Sequence, residues 1–430
     1  MLATALLLLL ILLALSVPVA AVMGVLGMAL DNVYSFMPLQ RAMGEILWNS
    51  SSEYILIAVP LFVMLGEILL RAGIAERVYN AIAQWLSWLP GGLMHANVGA
   101  CAMFAATSGS SVATAATIGT VAIPEIHKRD YNERLFLGTL AAGGTLGILI
   151  PPSINFIIYG LLTNSSVPRL YLAGFIPGAL LAGLFMLIVL VNCVLNPRAG
   201  GRPIETSWTS RLQVLPSLLP PFFIFLVVVG AIYLGIATPT EAASLGVAAA
   251  ILLAWWEGQL SLRMLRAVAE GTMRTTAMIM MIIIAAQFLN FVLAAIGITD
   301  TIAQAMEAMG LGKISTMLVI IAFYLVLGCF METISMMILT TPFIFPIVVK
   351  MGWDPIWWGI VLTILIEAAL ITPPVGLNLY VVQGMREKGP VADVIWGAFP
   401  FVVAMMGLIL ILMAFPDLAL WLPNLVMGKG

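Results

Sequence analysis

Small hydroxyl residues and glycines gather at two places in this chain, and a Pro-Pro pair follows each gathering. Thr107-Ser-Gly-Ser-Ser111, Thr114, Thr117, Gly119 and Thr120 interrupt an apolar run ahead of Pro151-Pro152. Gly328-Cys-Phe-Met-Glu-Thr333, Ser335 and Thr340-Thr-Pro342 stand in the same relation to Pro373-Pro374. A Pro-Pro pair cannot continue an α-helix, because each ring removes a backbone donor and blocks the carbonyl four residues back. Carbonyls freed at such a break, with hydroxyls beside them, are hard oxygen ligands suited to a small cation such as Na⁺. Half-helix N-termini attract an anionic group. Either hydroxyl-rich run alone reads as close helix packing. Their occurrence beside broken helices in corresponding positions turns the reading toward a transport site.

The acids in apolar surroundings are few: Glu67, Glu241, Glu332 and Glu367. Glu67 can pair with Arg71 one helical turn on and is expected at the membrane interface. Glu332 falls in the second hydroxyl-rich tip and Glu367 on the second broken helix, so these two are the acids to test. Asn155 and Asn378, just past the Pro-Pro pairs, are either backbone staples or ligand contacts. His95 and His127 lie at segment ends and read as loop residues. Cys101, Cys193 and Cys329 share no metal-like spacing and read as small buried hydrophobes. No carboxylate, His or Cys cluster suits a transition metal. No soluble-enzyme motif is present.

The elements that must position these residues follow from composition. Of 430 residues, 62% are hydrophobic and 9% charged, against about 25% charged in a soluble domain. Lipid is therefore the solvent for most of the chain. The formal net charge of −2, without a basic block, excludes nucleic acid as a partner. The first twenty residues have the leucine-rich core of a signal peptide but lack its basic n-region, and are expected to be the first crossing.

The chain is written twice. Pro152 and Pro374 are offset by 222 residues, Pro177 and Pro400 by 223, Gly73 and Gly297 by 224, and Pro18 and Pro239 by 221. Four anchors in one register predict two repeats. The first spans 1–195, with a re-entrant hairpin at about 95–126 and a broken helix at about 135–162. A linker at 196–212 follows, and the second repeat spans 213–430, with its hairpin at about 315–349 and broken helix at about 355–384. Five crossings per half (in the second, about 213–237, 239–257, 276–297, 355–384 and 391–415) make the halves enter from opposite sides, an inverted-topology repeat. The stretch at about 258–275 reads as a separate amphipathic helix in the cytoplasmic interface, and 31–52 has no clear reading. On this topology Arg41, Arg169, Lys313, Lys350 and Lys429 fall on one side and the other 13 of the 18 Lys and Arg on the opposite side. The positive-inside rule makes the richer side, and the 196–212 linker, cytoplasmic, with both termini outside.

At Ile57-Ala-Val-Pro-Leu-Phe-Val-Met-Leu-Gly-Glu67, Ala106-Thr-Ser-Gly-Ser-Ser-Val-Ala-Thr-Ala-Ala-Thr-Ile-Gly119, Gly147-Ile-Leu-Ile-Pro-Pro152 and Ile371-Thr-Pro-Pro-Val-Gly-Leu-Asn378 the sequence resembles the large, DctM-like membrane subunit of TRAP (tripartite ATP-independent periplasmic) transporters, in the wider ion-transporter superfamily. The resemblance implies an all-α polytopic elevator transporter, with a scaffold and a mobile domain, in the bacterial inner membrane. It also implies a small four-helix membrane partner subunit, a periplasmic substrate-binding protein and an organic-acid substrate. It places a first Na⁺ site at Ser108, Ser111, Gly147, Ile150 and Pro151, and a second at Gly328, Thr333, Thr372 and Gly376. Substrate-binding candidates are Ser110, Thr114, Asn155, Glu332 and Asn378. Na⁺ is the expected coupling ion, with no cofactor. A stand-alone citrate- or dicarboxylate-type carrier would share the repeat but need no binding protein. A membrane-embedded enzyme would need a catalytic cluster, and none is visible.

Overall fold

The computed structural model describes residues 2–108, 110–204, 206–297, 301, 310, 312–328, 331–374, 376–386 and 388–428. Their secondary structure is helical apart from one isolated bridge between Tyr131 and Gly200. Among the described residues, seven helices are long and apolar enough to cross a membrane, or eight if the bent pair Glu133–Leu149 and Ile154–Thr163 forms one span.

Two helices at the centre organise the rest. Every residue from Leu135 to Leu149 in Glu133–Leu149 is buried, as is every residue from Trp357 to Leu370 in Pro355–Leu370. Being apolar all round, neither could rest at a surface facing water. Asn132 and Asp354 start them by accepting bonds from the first-turn amides, Leu135 N at 3.0 Å and Ile356 N at 2.7 Å. Both end at the Pro-Pro pairs, whose peptide bonds are cis.

Around each central helix fold two arms. Leu93–Ser108 and Ser111–Ala122 pack together and against Glu133–Leu149; Lys313–Leu327 and Thr333–Lys350 pack against Pro355–Leu370. The segments beyond the breaks cross over. Leu377–Gly384, from the second half, docks on Ser111–Ala122, while Ile154–Thr163, from the first, docks on Thr333–Lys350. Outside this core, Tyr54–Arg71 packs on Pro239–Trp256 and on Leu262–Ala295, which also holds Val19–Tyr34.

Several elements differ from the sequence reading. The amphipathic stretch at about 258–275 is not a separate helix. Gly258, in the left-handed region at φ +68°, turns the chain, Ser261 caps, and one helix then runs 34 residues from Leu262 to Ala295. At 1.5 Å per residue that is about 50 Å, longer than the roughly 30 Å of hydrocarbon. Leu2–Ala14 and Val19–Tyr34, of 13 and 16 residues, fall short of a full crossing. Thr333–Lys350, assigned to a hairpin, has the length and hydropathy of a span despite Pro342 and Pro346 within it. Glu241 is a capping residue: its carboxylate accepts from Thr238 N at 2.8 Å, and Thr238 Oγ1 accepts from Glu241 N at 3.3 Å. The unread stretch forms the short helix Met43–Ser51, and Ile74–Leu86 is a further helix entered through Gly73. Gly73 and Gly297, equated by the repeat, both stand in the left-handed region, at φ +67° and +70°, where glycine carries no Cβ strain.

Candidate functional site

The two hairpin tips are built on caps. Ser110 Oγ accepts from Ala113 N at 3.3 Å and starts Ser111–Ala122. Glu332 starts Thr333–Lys350: its carboxylate accepts from Ile334 N at 3.1 Å, and from Ser335 N and Ser335 Oγ at 2.6 Å each. A carboxylate there also complements the positive end of the helix dipole.

Both tips open into one cavity of 420 Å³. Ser110 and Ser111 line it from the first tip, Glu332 and Thr333 from the second, and Ile148 and Leu370 from the two central helices. The facing wall is Val63, Gly66, Glu67 and Leu70 of Tyr54–Arg71, with Thr275, Met278 and Ile279 of Leu262–Ala295. A mostly apolar pocket with a few convergent polar groups is the usual form of a small-molecule site, and this volume falls within the usual range of about 300–1,000 Å³. Glu67 pairs with Arg71 at 3.0 Å, as its spacing suggests, but it lines this cavity instead of standing only at the interface. Gly271 lets Leu262–Ala295 come close to this carboxylate: a Cβ there would stand 2.6 Å from the Glu67 carboxyl carbon.

Of the residues implied for the first Na⁺ site, Ser111 starts the second arm of the first hairpin, and Gly147, Ile150 and Pro151 stand at the end of the first central helix. Gly147 lies against the first tip, where an added Cβ would be 3.1 Å from Thr114 Oγ1 and 3.2 Å from the Ser110 carbonyl oxygen. Ile150 leaves helical geometry at φ −85°, ψ 120°, directly before Pro151. The Ser108 side chain lies outside the described residues. At the second site a Cβ on Gly328 would collide with that of Ala369, so the hairpin arm touches the central helix there. Gly376, at φ +49°, leaves a concave spot in which the Thr372 and Leu370 carbonyl oxygens lie 3.0 and 3.1 Å from where a Cβ would stand. The Thr372 hydroxyl donates to the Ala368 carbonyl at 2.7 Å.

Of the substrate-binding candidates, Ser110 and Glu332 line the cavity, whereas Thr114, Asn155 and Asn378 are fully buried outside its lining. The Thr114 hydroxyl donates to the Ser110 carbonyl at 2.8 Å, which tightens the tip. Asn378 Nδ2 donates to the Ala141 carbonyl at 3.3 Å, stapling the crossed-over segment to the first central helix. Among the described residues, neither polar atom of the Asn155 side chain has a hydrogen-bond partner. His95 is buried, its Nε2 2.9 Å from the Pro90 carbonyl oxygen. Cys101 and Cys193 are buried and free; Cys329 lies outside the described residues.

One contact was not foreseen. Ser111 Oγ donates to Glu367 Oε2 at 2.6 Å, joining the first hairpin tip to the second central helix. The signal existed in the repeat: Ser111 corresponds to Thr333 and Glu367 to Thr145, each at an offset of 222. Thr145, by contrast, donates within its own helix to the Ala142 carbonyl at 2.6 Å.

On the cytoplasmic side of the proposed topology, Arg386 is nearly buried and holds Glu133 at 2.7 Å and Asp393 at 3.1 Å, while Arg134 reaches Asp393 at 2.8 Å. This cluster ties the crossed-over segment to the start of the first central helix and to Val391–Ala414.

An all-helical chain with several apolar spans around a polar-lipped central cavity is a multi-pass membrane protein of the transporter class. In fold it is similar to the crystal structure of the Alcanivorax borkumensis YdaH transporter, with a TM-score of 0.61 over 97% of this chain and 99% of that one at 17% identity. The family described as tripartite ATP-independent periplasmic transporter, DctM component, matches residues 6–418, and the chain belongs to it. The C4-dicarboxylate TRAP transporter large permease protein DctM of Vibrio cholerae is 34% identical over 409 residues, 90% of each chain. The isethionate TRAP transporter permease protein DctMQ of Oleidesulfovibrio alaskensis is 30% identical over 406 residues, covering 93% of this chain and 62% of that longer protein.

Proposed function

We propose that this large permease carries a small organic acid across the bacterial inner membrane, driven by Na⁺ and supplied by a periplasmic binding protein. A separate four-helix membrane subunit completes the complex. The substrate class follows relatives named for C4-dicarboxylates and isethionate. The observation that carries the reading is the 420 Å³ cavity walled by both hairpin tips on one side and by Tyr54–Arg71 and Leu262–Ala295 on the other. Substrate held there meets the Ser110 hydroxyl of the first tip and the helix N-terminus that Glu332 caps at the second, with Ser111 and Thr333 linking it to the coupling-ion sites.

The two halves, 1–195 and 213–430 around the 196–212 linker, are read as inverted repeats with both termini periplasmic. The paired Pro-Pro breaks, the paired left-handed glycines and the exchanged segments support this. In an elevator cycle the hairpins and central helices move as one body past the two wall helices. Gly73 and Gly297 are the places where the backbone bends at least strain.

The test is uptake of a labelled C4-dicarboxylate into proteoliposomes holding this chain and its small subunit. Uptake that requires the binding protein is expected. Equal uptake by this chain alone would contradict the proposal and favour the stand-alone carrier.

A further inference from the structure

Glu367 is 1% exposed, deep in the second central helix. Its Oε2 accepts from Ser111 Oγ at 2.6 Å, and its Oε1 has no hydrogen-bond partner among the described residues. Among the described residues no Lys, Arg or His forms an ion pair with it; the ion pairs of Arg134, Arg386 and Arg129 are with acids at helix ends. A buried carboxylate with one bare oxygen is costly unless a positive charge or a proton meets it. Position matters as well. Glu367 touches the tip that carries Ser111, and Gly147 of the first central helix packs against the same tip beside the Ser110 carbonyl. At the corresponding position of the other half, Thr145 offers a hydroxyl already used by its own backbone.

We propose that Glu367 is a carboxylate ligand for a monovalent cation at the first hairpin tip, with Oε1 as the ligand atom and Ser111 orienting the group through Oε2. This rests on the Na⁺-coupled reading above and deepens it. The cation at the first tip is then held against a full negative charge, by direct Coulomb attraction in a poorly screened interior, whereas the Glu332 carboxylate at the second tip is occupied with the Ile334 and Ser335 amides that it caps. Hard oxygen donors without nitrogen or sulfur suit an alkali cation over a transition metal.

Glu367→Gln separates the two ways of neutralising the group. An amide keeps the acceptor for Ser111 and mimics a protonated acid, but cannot offset a cation. The full-length chain, purified in detergent, is titrated with NaCl against choline chloride at constant ionic strength, reading the thermal midpoint and equilibrium binding of ²²Na⁺. Wild type is expected to be stabilised by Na⁺, and Glu367→Gln to require roughly tenfold or more Na⁺ for the same effect, with fewer Na⁺ bound per chain. Wild-type stabilisation with an unchanged Glu367→Gln titration would show the group to be a neutral acid and overturn the inference alone. No Na⁺ effect on wild type would overturn the Na⁺ reading with it. Should Glu367→Gln fail to give monodisperse protein, Glu367→Asp, which keeps the charge but withdraws it, is expected to retain a weakened Na⁺ response; a wild-type response would refute the ligand role.

Discussion

The first central helix meets Val391–Ala414 through two glycines, and substituting either one tests the packing that holds the site. A Cβ on Gly138 falls on the Gly397 carbonyl group and 2.9 Å from the Ala398 amide nitrogen; one on Gly397 falls on the Arg134 carbonyl. All these atoms are backbone, so no side chain can swing aside. A methyl group needs about 3.5 Å, so the helices must part by roughly 1.5 Å. Overpacking of this kind costs about 1–3 kcal/mol, occasionally more, offset by up to about 1 kcal/mol of helix propensity gained from Gly→Ala. The same movement draws Arg134 from Asp393, now at 2.8 Å. Gly138→Ala and Gly397→Ala should therefore lower the thermal midpoint of the purified protein and reduce the yield of monodisperse material. Gly407→Ala on the same helix, with nothing within 4 Å of its added Cβ, should be neutral or slightly stabilising. Equal midpoints for Gly138→Ala and Gly407→Ala would refute the close approach of the two helices.

Three further outcomes are expected. Ser111→Ala and Thr333→Ala should weaken apparent Na⁺ affinity in uptake assays. Ser111→Ala should do so more, because it also removes the hydrogen bond that Ser111 gives Glu367; Ser166→Ala, which loses a helix cap at the end of a span, is the comparison, and an equal shift there would remove the hairpin tips from ion binding. Arg386→Ala should reduce folded yield, since it leaves Glu133 and Asp393 partly unpaired where the Arg386 side chain is 7% exposed; normal yield would make the cluster a surface feature worth little. A cysteine introduced as Glu205→Cys should react with impermeant thiol reagents only from the cytoplasmic side, and periplasmic labelling would overturn the inverted topology.

The family was legible in the chain because its marks are backbone marks. Pro-Pro pairs, glycines and hydroxyls punctuate an otherwise uniform apolar text, and they announce where helices stop whatever packs around them. Side-chain partners across the fold were not legible. Leu377–Gly384 follows its own half in sequence but docks on the other half's hairpin, so no local spacing places Asn378 beside Ala141 or Ser111 beside Glu367. Helix ends within long apolar stretches were also hidden. The Leu262–Ala295 helix contains both the amphipathic stretch and the crossing because nothing after Ser261 breaks it; the change from polar to apolar marks where the membrane begins, not where a helix does. Glu67 shows the same limit, since its pairing with Arg71 follows from a four-residue spacing but its close approach to Gly271 belongs to another helix.

Coupling is tested most directly by clamping one gradient at a time. Proteoliposomes containing this chain and its small subunit, supplied with loaded binding protein, are given an inward Na⁺ gradient with the pH gradient collapsed, and then the reverse. The account predicts accumulation of the organic acid in the first condition and its loss in the second. Accumulation that follows the pH gradient with Na⁺ equal on both sides would contradict it.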